Sequence, residues 1–196
     1  VNLDLMANDF KYSAELTTDL IGVNANLPYP LMKENQEKRS LSIKAEGDNL
    51  ASSIDLNLKD IARFEGALAH KEKQFNRAHL ALGPTELESR GLGFSISVNV
   101  DTLFVEQWIP FIKAITSDID KSKPSLIGIP RRIFVDTEKL WFAGQSFNDV
   151  DLIVKRLDDQ WIFEVDANEV RGNVTLFDEW FSKGIVIDAE YIRLAK

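Results

Sequence analysis

Residues 92–100 read Leu92-Gly93-Phe94-Ser95-Ile96-Ser97-Val98-Asn99-Val100, with an apolar side chain at every second position. A helix brings residues three and four apart onto one face, whereas a strand sends neighbours to opposite faces. The stretch therefore predicts a strand. Leu92, Phe94, Ile96, Val98 and Val100 share one side, and Ser95 and Ser97 take the other, solvent-facing side. The same period recurs at Leu50–Ile54–Leu56–Leu58, Ala78–Leu80–Leu82, Val150–Leu152–Val154, Trp161–Phe163–Val165–Ala167 and Val170–Gly172–Val174–Leu176. Weaker versions lie at Phe10–Tyr12–Ala14–Leu16, Leu41–Ile43–Ala45, Ile133–Val135 and Ile185–Ile187. His79 falls between Ala78 and Leu80, on the polar side of its strand.

Short polar turns separate these runs: Glu46–Asn49, Lys59-Asp60, His70–Lys73 and Leu157–Gln160. Connections this short join adjacent strands as hairpins. The reading is a mostly β fold of about a dozen strands, a long antiparallel meander forming a curved sheet or groove. Met32–Ser40 is a charged loop after Leu27-Pro28-Tyr29-Pro30-Leu31, whose prolines end the preceding strand. Residues 117–125 (SDIDKSKPS) are a polar linker and the candidate seam between subdomains of a single 1–196 domain.

One short amphipathic helix is predicted, over about Leu103–Thr116. Phe104, Trp108, Phe111, Ile112 and Ile115 fall on one face of it, and Pro110 requires that it begin near Glu106 or Gln107, or kink. This face caps one end of the apolar side of the sheet, as ordinary core or as a plug. Phe177, Trp180 and Phe181 suggest a single helical turn packed at a corner of the core.

The 196 residues are 44% hydrophobic and 28% charged, ordinary for a globular chain long enough to bury a core. A formal charge of −8, with scattered Lys and Arg, weighs against nucleic acid and against docking on an anionic membrane surface. Without cysteine there are no thiolate metal sites, Cys nucleophiles or disulfides. The two histidines, His70 and His79, lack a third ligand at suitable spacing, so no metal or cofactor is expected. Asp158-Asp159 sit where a hairpin turn favours Asp. Arg90-Gly91-Leu92-Gly93 leads into a strand, not into the helix N-terminus that would bind phosphate, and Arg131-Arg132 at a strand start reads as a solvated pair. No nucleophile elbow occurs, so no catalytic residue is assigned and no enzyme is expected.

The order of features carries a family resemblance. Leu27-Pro28-Tyr29-Pro30-Leu31 runs into a charged loop; hairpin strands follow, one with Leu82-Gly83. Arg90-Gly91-Leu92 then opens an alternating strand, ahead of a helix with Trp108. After the linker, Leu140-Trp141-Phe142-Ala143-Gly144-Gln145-Ser146-Phe147-Asn148-Asp149-Val150 begins a new series of hairpins. This resembles the central-to-C-terminal part of the YhdP branch of the AsmA-like family, over essentially the whole chain. The resemblance implies an internal segment of a Gram-negative envelope protein that shelters or moves phospholipid through the periplasm. It also implies an inner-membrane anchor and further groove in other segments of a longer chain. That chain and a phospholipid or other acyl-chain ligand are the expected partners.

The residues expected to face acyl chains are Leu92, Phe94, Ile96, Val98, Val100, Leu152, Val154, Trp161, Phe163 and Val165, with Phe104, Trp108, Phe111, Ile112 and Ile115 covering one end. The rival from another class is a structural or assembly module of the envelope, its groove filled by its own side chains and its outer surface binding protein. An enzyme on a barrel scaffold would need two close carboxylates in a polar cleft.

Overall fold

The computed structural model describes residues 2–6, 9–84, 91–117 and 126–193, the side chains of 2–9, 112–117 and 180 excepted. The 117–125 seam thus lies almost wholly outside the described residues. Thirteen strands form a single sheet. They are β1 (Asn2–Met6), β2 (Asp9–Thr18), β3 (Leu41–Gly47), β4 (Ala51–Leu58), β5 (Ala62–Ala69), β6 (Gln74–Leu82), β7 (Gly93–Asn99), β8 (Thr102–Phe104), β9 (Arg132–Phe142), β10 (Gln145–Leu157), β11 (Gln160–Asp166), β12 (Val170–Phe177) and β13 (Ile185–Ile192). The helices are α1 (Val105–Ser117) and α2 (Trp180–Lys183).

Two antiparallel meanders, β1–β6 and β9–β13, meet through a parallel centre. The order is β1 to β7, then β9 to β13, with β8 added alongside β9; β6 with β7, β7 with β9 and β8 with β9 run parallel. The antiparallel part is set by local turn chemistry. Asp48 Oδ1 accepts from the Leu50 and Ala51 amides at 2.7 and 3.0 Å, closing the β3–β4 turn. Ala143 (φ 51°) and Gly144 (φ 74°) form the two-residue β9–β10 loop, the conformation that matches strand twist. The parallel centre departs from a continuous meander because the connections 83–92, between β6 and β7, and 105–131, between β8 and β9, are too long for hairpin turns. Period-two patterning is the same in either direction, so it carries no signal of the reversal.

Twelve apolar side chains are buried among the described residues, four of them alanines. Nine form one cluster: Ala62, Leu82, Val98, Val100, Leu103, Val135, Leu140, Val150 and Ala167. They lie where β6 and β7 end. Leu31 from the 19–40 segment, and Val105 and Trp108 from α1, pack onto them. The charged loop is tied down by its own backbone: buried Lys33 donates from Nζ to the Val23 and Glu34 carbonyls at 2.9 and 2.8 Å.

Several sequence expectations change here. The helix starts at Val105, because Thr102–Phe104 pair with β9 instead; Phe104 stands opposite Trp141 and is exposed. Pro110 lies inside the helix, which runs on through it. In the aromatic turn at 177–181, Phe181 does not pack on the core, being 89% exposed, while Phe177 is half-buried and the Trp180 side chain lies outside those described. Ser95 faces away from the apolar side but not into water. It is 7% exposed and His79 4%, with His79 Nδ1 2.7 Å from Ser95 Oγ and Nε2 2.9 Å from Ser97 Oγ. These groups lie at the parallel pairs β6–β7 and β7–β9. A buried imidazole is stabilised there by hydroxyl partners on the next strand.

Candidate functional site

Register turns the separate apolar runs into one feature. Leu16, Ile43, Leu56, Phe64, Leu80, Ile96, Ile133, Val154, Phe163, Val174 and Ile187 are consecutive cross-strand partners. They make an unbroken apolar row over eleven strands, from β2 to β13. At the usual strand spacing its contour is about 48 Å, roughly three times the ~15 Å half-thickness of a bilayer's hydrocarbon core. A second row beside it runs Leu41, Leu58, Ala62, Leu82, Val98, Val135, Leu152, Val165, Gly172 and Ala189.

The rows differ in burial. The second supplies the core and lies under Leu31, Val105 and Trp108. The first is uncovered at both ends, where Leu16 is 56% and Ile187 61% exposed. Between them its side chains are half-buried, Val154 alone being buried. The whole chain exposes 13347 Å². A compact monomer of 22.2 kDa would expose about 9,400 Å².

Of the residues expected to line this face, Phe94, Ile96 and Val98 alternate on β7, and Val100 follows buried at its end. Leu152, Val154, Trp161, Phe163 and Val165 stand on the same face of β10 and β11. Leu92 does not join them. It precedes β7 between Gly91 and Gly93, whose φ values of 91° and 86° turn the chain out of the ladder, and it is 76% exposed. Trp108 reaches the core from α1, with Phe111 edge-on to it at 5.8 Å and 84°. Phe104 lies outside this cap, and the side chains of Ile112 and Ile115 are outside those described. The alternation missed Phe64 on β5, and it found Leu16 and Ile187 as strand residues without placing them in the row. β5 (ARFEGALA) shows no clean period, and the partnership of distant strands is not written locally.

The site's polar groups gather at the rim where β6, β7 and β9 begin. Arg156 pairs through both guanidinium nitrogens with the Asp178 carboxylate and lies 5.1 Å from the Trp161 ring centre. The hydrogen bond from Arg156 holds the Asp178 carboxyl below its usual range. Lys183 donates to Asp159 at 2.7 Å and lowers that carboxyl in the same way. Farther along the rim, Tyr12 and His70 both hydrogen-bond the hydroxyl of buried Ser52. Among the described residues no group of three or more His, Asp or Glu is placed to hold a metal ion. No helix among them is long and apolar enough to cross a membrane.

An open sheet with one continuous apolar face, closed along a single rim, defines a groove-type β protein. The chain belongs to the YhdP protein family, whose model matches residues 1–196. No curated protein and no solved structure matches it.

Proposed function

We propose that this chain is a segment of a periplasmic lipid-transport or lipid-sheltering groove protein of the Gram-negative envelope, holding phospholipid acyl chains against its apolar concave face. The observation that carries the reading is the continuous apolar row from Leu16 to Ile187, exposed at both ends and half-buried between them except at Val154. Apolar surface left in water costs about 25 cal/mol per Å², so a face of this extent favours an apolar occupant. Its length favours a track over a pocket: one acyl chain would cover only part of it. Family membership supports an envelope location, with the inner-membrane anchor and further groove in other parts of a longer chain. The protein acts by binding, not by catalysis.

The test is organic extraction of the chain purified from a Gram-negative host without detergent, followed by mass spectrometry. The expected outcome is phospholipid in stoichiometric amount. Lipid-free protein that remains folded and monomeric would overturn the reading and favour a structural module with a self-filled groove.

A further inference from the structure

An ion pair stands at the rim of the apolar face, on the same side as the apolar row. Arg156 is two residues along β10 from Val154, and its cross-strand partner Trp161 is two residues along β11 from Phe163. Alternate residues of a strand share a face, so Arg156 and Trp161 point to the side of the row, about 6.6 Å from it. The guanidinium lies 5.1 Å from the Trp161 ring centre, in keeping with that placement. Leu176, the next partner of Trp161, continues the line on β12. Asp178 follows two residues beyond, and the guanidinium grips both of its carboxylate oxygens.

Backbone bonds fix both partners. The Arg156 amide donates to the Arg131 carbonyl at 2.9 Å, and the Asp178 amide to the Asp159 carbonyl at 2.9 Å. The pair is open, with the Asp178 side chain 47% and that of Arg156 19% exposed. It also keeps hydrogen-bonding capacity. A guanidinium has five N–H donors, of which the Asp178 carboxylate takes two, and each carboxylate oxygen retains a further lone pair. An exposed ion pair adds little to stability, so its fixed place beside an acyl-chain track is better matched to a ligand. Charge gives the ligand class. The hydrogen bond to Asp178, and then the charges of Asp178, Asp159 and Asp158, push the Arg156 ionisation up, so an oxyanion binding there meets these carboxylates as well. A headgroup that joins a phosphate to a primary ammonium satisfies both halves of the pair. Acyl chains lying on Val154 and Phe163 would bring such a headgroup to it.

We infer that Arg156 and Asp178 together bind the zwitterionic headgroup of an aminophospholipid, its phosphate on the guanidinium and its ammonium on the carboxylate. This rests on the acyl-chain reading and adds headgroup selectivity to it. Charge-assisted bonds from both ends of the headgroup favour it over an anionic headgroup of similar size, which has no cation to offer Asp178.

The test measures affinity of the 196-residue chain for lysophosphatidylethanolamine, lysophosphatidylglycerol and a monoacylglycerol of the same chain length, all below micellar concentration. The unaltered chain is expected to bind lysophosphatidylethanolamine about tenfold tighter than lysophosphatidylglycerol. Asp178→Asn should shrink that preference to within about twofold, since the ammonium loses its carboxylate while the guanidinium stays. Arg156→Gln should weaken both phospholipids relative to the monoacylglycerol, which has neither phosphate nor ammonium to lose. Equal affinity of the unaltered chain for the two phospholipids, or a preference that Asp178→Asn leaves intact, would overturn the headgroup site; monoacylglycerol binding in that case leaves the acyl-chain track standing. Binding of none of the three would overturn both. Competition by free phosphoethanolamine at concentrations matching the lysolipid affinity would mean that the site takes the soluble zwitterion instead of a lipid.

Discussion

Gly83→Val is expected to abolish folding. Gly83 leaves β6 with φ 84°, a conformation that L side chains rarely adopt, and its amide donates to the Ile61 carbonyl at 2.8 Å. A Cβ there would lie 1.7 Å from the Asn99 carbonyl oxygen and 2.8 Å from its carbon. Both obstacles are backbone at the end of β7, the strand that joins the two meanders. Relief requires either β6 or β7 to leave the ladder, which costs more than the 5–15 kcal/mol typical of a domain's whole stability. Gly144→Ala is the control, because φ is 74° there but nothing lies within 4 Å of the added Cβ. It should cost about 1 kcal/mol of backbone strain. Thermal melts followed by circular dichroism separate the two. A Gly83→Val protein melting within a few degrees of the parent would contradict the parallel seam.

Val98→Asp and Ile96→Asp should part company although they share a strand face. Val98 is buried between Leu82 and Val135 at the covered rim. An unpaired carboxylate there costs several kcal/mol, enough to unfold the chain. Ile96 packs against the edge of the core but is only half-buried, so its carboxylate can reach water when no lipid is bound. Ile96→Asp should fold, melt lower and lose co-purified phospholipid. If both variants unfold, the row is interior and self-filled. If Ile96→Asp folds with undiminished lipid, acyl chains lie elsewhere.

Much of this architecture is written in local pattern. The alternation at 94–100, 150–154 and 161–167 places strands and their apolar sides where the sheet has them, and the Asp-containing turns fall between β3 and β4 and between β10 and β11. Strand partnership is what local pattern lacks. Leu80 meets Ile96 and Ile96 meets Ile133 only because β6, β7 and β9 run parallel, so the continuous row appears only once register is known. His79 and Ser95 are buried on a side whose composition reads as wet, where each satisfies the other across β6 and β7. Phe104 shows the limit of helical spacing: it continues the stripe of Trp108 and Phe111, yet pairing with β9 claims it first. Arg131 and Arg132 approach Gly93 and Gly91 from a distant part of the chain, and no spacing rule connects the two.

The central claim, that acyl chains lie on this face, is tested most directly by photocrosslinking in the full-length protein in its native envelope. A benzophenone amino acid replaces Phe163, in the middle of the apolar row, or Asn173, exposed on the opposite face of the neighbouring strand. The account predicts phospholipid adducts at position 163 and none at 173. Adducts at both positions alike, or at neither while the protein remains folded and in place, would contradict it.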